Sequence, residues 1–481
     1  MKSTYWKALV PVVVAVVIAL IPPPAGLEVY AWRYFAVFIG VVLGLILEPL
    51  PAAAIGFIGA VAMALLGLPF SPADRAAEGF SLPSEAIKWV LSGFGNTTVW
   101  LIFAAFMLAL GYQKTGLGRR LGLLLVEKLG RRTLGLGYAV ALADLILAPF
   151  TPSNTARSGG TIFPIIRNIP SLYGSEPGET SRKIGSYIMW TALATTTVTS
   201  SMFITALAPN LLAVEIVKRT VDIDIAWMQW FLGFIPVGAL LFLLVPSLTY
   251  ILYPPEIKTS NEVPAWARQE LKDMGPFSRN ELIMALLALL ALVLWIVGGN
   301  FIHGTMVALA VICLMLITHV IEWDDMLANK PAWNVLVWFA TLVTLAGGLS
   351  KVGFVDWFSN SAAGMLTGMA PMTVMIILVV LFFVVHYLFA SVTAHVTAVL
   401  PVFLAAGAAV PGINMMVFTL LLCFSLGIMG IITPYGTGPS PVYFGSGYIS
   451  RKDFWVMGSI FGLIFLVLFL VIEIPYLLAI Y

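Results

Sequence analysis

The sequence predicts an all-α polytopic membrane protein of about eleven transmembrane helices, with two re-entrant helical hairpins arranged as an inverted repeat. Three observations carry this reading. Hydrophobic residues make up 60% of the 481 and charged residues only 10%, against roughly a quarter charged in a soluble domain. Apolar runs of crossing length recur from end to end. Two further apolar stretches are interrupted midway by polar residues, "TPSNT" and "SVTAH", and they lie in halves of the chain that resemble each other.

Taken in order, runs of about 17–25 apolar residues fall near 8–24, 31–48, 51–69, 97–113, 185–207, 229–252, 281–298, 304–320, 333–349, 413–432 and 454–479. Lys2 and Lys7 lead straight into the first run without a small-residue cleavage site, which reads as an anchored helix rather than a removed signal. The interrupted stretches, 134–168 and 372–409, read as hairpins that enter and leave on one side. A cytoplasmic N-terminus places 19 of the 25 Lys and Arg inside, as the positive-inside rule requires. The charged stretch 253–280 then reads as a cytoplasmic linker between the halves.

The halves match in step. "LALGYQKTGLGRR" (108–120) and "LAGGLSKVGFVDW" (345–357) share Gly111/Gly348, Lys114/Lys351 and Gly116/Gly353 at an offset of 237. Pro164 meets Pro401 at the same offset, and Ser153 meets Ser391 after a one-residue slip. With the orientation above, the first copy faces the cytoplasm and the second faces outside. Such an inverted repeat is the usual architecture of a secondary transporter, with its site at the repeat interface.

Pro149 and Pro152 force the backbone out of helical geometry just before Ser153, Asn154 and Thr155. Inside a bilayer such a break is tolerated only where it is buried in protein or lines a cavity. The next helix starts at that point, so its free N–H groups, the hydroxyls and the Asn amide suit carboxylate oxygens. The second tip, "FASVTAHVTAVLP", offers Ser391 and Thr393 comparably. Two more breaks, "TALAPN" (205–210) and "ITPYGTGPSPVYFGSG" (432–447), interrupt later spans of each half.

These residues resemble the divalent anion/sodium symporter family over essentially the whole chain. The resemblance is carried by "SNT" at one tip, Ser-x-Thr at the other, Thr433–Pro434 and the trailing "FGSG". It is closest to the exchanger branch, which includes bacterial citrate/succinate-type antiporters and plastid 2-oxoglutarate/malate translocators. The resemblance implies a homodimer in a bacterial inner membrane that exchanges di- or tricarboxylates by an elevator movement. Scaffold helices would occupy 1–92 and 281–332, and the repeats 93–252 and 333–481. Ser153, Asn154 and Thr155 would hold one substrate carboxylate, Ser391, Val392 and Thr393 the other, with Thr433 and Pro434 completing the pocket.

Sodium-coupled members repeat Ser-Asn-Thr at the second tip. Here Val392 stands in place of the Asn and cannot offer a side-chain oxygen to a hard cation. The expectation is sodium-independent antiport, the alternative being a sodium-coupled dicarboxylate symporter through a residual site near Ser153, Asn154 and Ser200. Arg157 could meet an anionic substrate or snorkel toward the cytoplasmic mouth. His395 could be a neutral hydrogen-bonding residue or a proton-responsive ligand. His303, His319 and His386 show no metal-type spacing, and Cys313 and Cys423 both sit inside apolar runs. No cofactor, metal or nucleic-acid partner is expected, only lipid, and no catalytic constellation points to an enzyme.

Overall fold

The computed structural model describes residues 2–298, 301–366 and 368–481. Among them there is no strand, only an isolated bridge between Arg132 and Thr259. Each of the eleven expected apolar runs forms a helix: Lys2–Leu20, Val29–Leu47, Ala52–Leu65, Thr97–Thr115, Gly185–Met202, Trp227–Leu252, Arg279–Val297, Gly304–Ile317, Lys330–Lys351, Met415–Ile428 and Arg451–Leu468. The last continues through a π-turn at Phe469–Glu473 to Ile480. Among the described residues, eight helical segments are long and apolar enough to cross a membrane, including the first arms of both hairpins, Thr133–Phe150 and Pro371–Leu388.

Two helices show opposite exposure patterns. Arg279–Val297 turns Leu282, Leu286, Leu289 and Val293 outward, a surface suited to lipid rather than water. Gly185–Met202 does the opposite. It carries five Thr and three Ser, and every one of its residues is buried. It packs against Thr133–Leu147, Trp227–Leu252 and Met415–Ile428, so its hydroxyls are enclosed by helices instead of facing lipid.

The matching Gly-x-x-Lys-x-Gly segments have a backbone cause. Gly116 and Gly353 adopt φ of 78° and 77°, the left-handed conformation that ends one helix and turns the chain into the next. Each therefore opens a second helix, Leu117–Leu129 in the first half and Phe354–Leu366 in the second. The sequence reading missed both, because they are amphipathic and, at 13 residues each, too short to register as crossing-length apolar runs.

The stretch 253–280 is more ordered than a linker. It contains the helix Glu262–Asp273, docked on Leu117–Leu129. Arg119–Glu270 at 2.6 Å and Arg268–Glu127 at 2.8 Å join the two helices, and the buried pair Arg120–Glu281 at 2.6 Å ties Leu117–Leu129 to the start of Arg279–Val297. Arg120 Nη1 also donates to the carbonyl of Gly275 at 2.9 Å. Only Val263 and Ala267 of this helix are buried, so its apolar stripe is too thin to read from the sequence.

Candidate functional site

In the first hairpin, Thr133–Leu147 is followed by a 3₁₀ turn at Ala148–Phe150, an extended Thr151, and a π-helix over Thr155–Ile162. Pro164 lacks the N–H that an α-helix would send to the carbonyl of Gly160. The wider turn is visible where the N–H of Phe163 reaches Ser158 instead.

Neighbouring breaks satisfy the carbonyls that leave the helix here. Pro152 accepts from Ala208 N at 2.7 Å, and Pro149 from Thr205 Oγ1 at 2.6 Å. Asn210 in turn donates through Nδ2 to Ser200 O at 2.8 Å and Phe203 O at 3.2 Å, where Gly185–Met202 ends and its last carbonyls would otherwise be orphaned. The irregular backbone at 149–155 and 203–208 is thus one mutually bonded unit.

Ser153 caps the new helix by accepting from Ala156 N at 3.2 Å. Asn154 is buried and donates through Nδ2 to Thr437 Oγ1 at 2.7 Å, linking the first tip to the break in the other half. Thr155 is exposed, and a Cβ at Gly438 would overlap its hydroxyl. Ser158 Oγ lies 2.8 Å from Tyr443 Oη, a further link between the halves.

Arg157 is only 1% exposed. Nε donates to Asp144 Oδ2 at 3.1 Å, and Nη1 to the carbonyls of Thr151 (2.9 Å) and Ala206 (2.8 Å). Nη2 donates to the hydroxyls of Thr196 (3.4 Å), Thr199 (3.3 Å) and Ser200 (3.1 Å). The guanidinium does not snorkel to a mouth. It fills an oxygen cage, and Asp144 on the opposite arm of the same hairpin meets its charge.

At the second tip Ser391 caps Val392–Ala408 by accepting from Ala394 N at 3.4 Å. Val392 is buried and Thr393 half-buried. The N–H groups of Asn154, Thr155, Val392 and Thr393 find no acceptor among the described residues. His395 is wholly buried and neither ring nitrogen has a hydrogen-bond partner among the described residues. Its ring instead meets Phe382 edge-on at 4.4 Å between centroids, with His386 at 5.2 Å. His386 Nε2 donates to the carbonyl of Gly436 at 2.7 Å. Thr433 is buried with its hydroxyl unpaired among the described residues, and Pro434 beside it is half-buried.

The structure thus brings the first tip against the 432–447 break and sets Ser200 beside Arg157, while Ser391 and Thr393 stand at the matching tip. Sequence reasoning missed Asp144, Thr437, Tyr443 and the role of His386. For Asp144 a signal existed: an arginine within an apolar hairpin needs a partner, and Asp144 is the one acid in 134–168. A second interior acid, Glu473, is also wholly buried, with neither oxygen partnered among the described residues. Its π-turn packs against Trp227–Leu252 rather than against a hairpin.

Comparison with known proteins matches this architecture. The sodium:sulfate symporter transmembrane region model matches residues 2–480. The chain is 51% identical over 473 residues to an L-tartrate/succinate antiporter of Escherichia coli K12 and to another of Shigella sonnei, covering 98% of this chain and 97% of each relative. Among solved structures, the YdaH transporter of Alcanivorax borkumensis aligns with a TM-score of 0.60 at 16% identity, over 89% of this chain and 98% of that one. MtrF of Neisseria gonorrhoeae aligns at 0.54 and 11% identity, over 90% and 96%. At these identities the two structures attest the fold alone. The helical membrane architecture, the two tips and the full-length match lead to one assignment: the chain belongs to the divalent anion/sodium symporter family, and is a membrane transporter rather than an enzyme.

Proposed function

We propose that this protein is a sodium-independent exchanger of small dicarboxylates, of the tartrate and succinate class named for its relatives, located in a bacterial inner membrane with its N-terminus in the cytoplasm. The observation that carries the sodium independence is the setting of Arg157. Hydroxyl and carbonyl oxygens converging from Thr151, Thr196, Thr199, Ser200 and Ala206 are the donor set a sodium ion would need. A guanidinium already occupies them. The residual site weighed near Ser153, Asn154 and Ser200 therefore holds a fixed cation, and at the other tip Val392 supplies no side-chain ligand.

The substrate is held by both tips. One carboxylate is met by Ser153, Asn154 and Thr155, the other by Ser391, Val392 and Thr393, with Thr433 and Pro434 lining the pocket between them. The four N–H groups without acceptors among the described residues support this assignment, above all those of the buried Asn154 and Val392, because a buried unpaired N–H costs about 1–3 kcal/mol and a carboxylate satisfies it. His395 then backs the second tip as a neutral ring rather than touching substrate.

The halves form an inverted repeat of eleven crossings and two hairpins. The hairpins and the helices around Gly185–Met202 move as an elevator against scaffold helices in a homodimer. Exchange follows from the charges. With Arg157 balanced by Asp144 and no cation that comes and goes, a loaded site carries the substrate's own charge, and return with a second dianion leaves no net charge moved. An empty site would instead take unpaired N–H groups through the barrier.

Proteoliposomes loaded with succinate should take up labelled tartrate or succinate equally in sodium and in choline buffer, and empty ones should take up almost none. Sodium-stimulated uptake into empty vesicles would overturn this reading in favour of the symporter.

A further inference from the structure

A cavity of about 550 Å³ opens between the first hairpin, the helix Leu117–Leu129 and the helix Glu262–Asp273. Exposed Gln113, Arg119, Arg167 and Asn168 ring its mouth, Glu270 contributes from the docked helix, and the buried Thr151 at the hairpin tip lines its far end. Arg119 is held by Glu270 at 2.6 Å, whereas Arg167 has no carboxylate partner among the described residues. The cavity therefore has basic groups at its mouth and touches the break of the first hairpin at Thr151, whose carbonyl accepts from Arg157.

The corresponding place in the second half differs. There the gap between Phe354–Leu366 and the second hairpin is about 90 Å³ and lined by apolar residues such as Phe354, Phe358, Ala398 and Pro401. Thr161 and Pro164 of the polar cavity correspond to Ala398 and Pro401 of the apolar one at the offset of 237. A basic lining is thus no by-product of how a hairpin packs on its neighbouring helix. It belongs to one half only.

We infer that this cavity is a cytoplasmic anion station, where Arg167 and Arg119 capture a small dicarboxylate before it reaches the hairpin tips. Glu270 is a resident carboxylate on Arg119, and an arriving substrate carboxylate competes with it for the same guanidinium. Two guanidinium groups fit the two ends of a C4 dianion better than the two ends of a monoanion. The station lies at a wet mouth, so it governs capture rather than tight binding: charge focused in a cleft raises the encounter rate and is weakened by salt. This rests on the dicarboxylate-exchange reading above and adds a second binding place to it.

The test compares KM for succinate from the two faces, in membrane vesicles of opposite orientation. Arg167→Gln should raise the ratio of cytoplasmic-face to outer-face KM about threefold or more at low ionic strength, and the difference from wild type should shrink at high salt. Glu270→Gln should move the ratio the other way, because it frees Arg119. Arg268→Gln, on the same helix but paired with Glu127 outside the cavity, should keep the wild-type ratio. Arg167 is exposed, so its replacement leaves folding intact. If wild-type vesicles exchange no dicarboxylate, the proposed function itself fails. If they do, and Arg167→Gln leaves the ratio unchanged, or Glu270→Gln raises it, the station is refuted.

Discussion

At the first tip one guanidinium donates to six oxygens, whereas at the second tip two imidazoles leave three ring nitrogens without a partner among the described residues. The hairpins lie at matching positions in the two halves, and both tips are capped by a serine. Behind the cap they diverge. The first tip is braced by a fixed charge pair inside a shell of hydroxyls. The second is braced by aromatic edges, with Phe382 and His386 around His395. The oxygens behind the first tip are taken up by Arg157, whereas at the second tip Val392 stands where a side-chain oxygen could have been. Two tips with the same serine cap are thus braced by unlike chemistry.

The contrast breaks hardest at Asp144. Asp144→Asn leaves the Arg157 charge buried and uncompensated, and removing one member of such a pair costs about 3–5 kcal/mol. Thermal unfolding in detergent should show the loss, and exchange should vanish with it. The double variant Asp144→Leu/Arg157→Met should be more stable than either single variant yet still fail to exchange. If Asp144→Asn is as stable as wild type, the first tip is not braced by charge.

The next effect is in binding. Asn154→Ala removes a buried donor and frees Thr437, a loss of about 1–3 kcal/mol, or roughly tenfold in affinity. Thr393→Ala should be of the same kind and somewhat smaller, since Thr393 is only half-buried. Equilibrium binding of labelled succinate distinguishes them from folding defects. Wild-type affinity in both variants would move the site away from the tips.

His395→Phe sharpens the other side of the comparison. His395 makes no hydrogen bond among the described residues, so an apolar ring of similar shape keeps the edge contacts and should change stability by less than about 1 kcal/mol. His386→Leu should cost more, about 0.5–1.5 kcal/mol, because the carbonyl of Gly436 loses its donor. A collapse of His395→Phe would mean the second tip is polar after all. The smallest effect belongs to Trp338→Phe, in the helix Lys330–Lys351 and in neither hairpin. Its indole N–H is already without a partner among the described residues, and substrate affinity should stay at the wild-type value.

Much of this molecule is written in local chemistry. In lipid every backbone group must be bonded within the protein, so a sufficiently long apolar run has little choice but to be a helix, and all eleven such runs are. Gly116 and Gly353 end their helices because only glycine accepts a left-handed turn at little cost. Pro149 and Pro152 break the first hairpin for an equally local reason, since a proline ring fixes φ and supplies no N–H to the helix. The docking of Glu262–Asp273 on Leu117–Leu129 was not legible, because their charges pair across 141 and 151 residues of chain. The same holds at the site. Whether Arg157 meets a substrate, water or Asp144 depends on how the two arms of a hairpin lie side by side, and Asn154 meets Thr437 across 283 residues only when the halves close on each other. Periodicity and backbone propensity act over a few residues and are carried by the sequence. The pairing of buried polar groups depends on where helices come together, and that is set only when the whole chain packs.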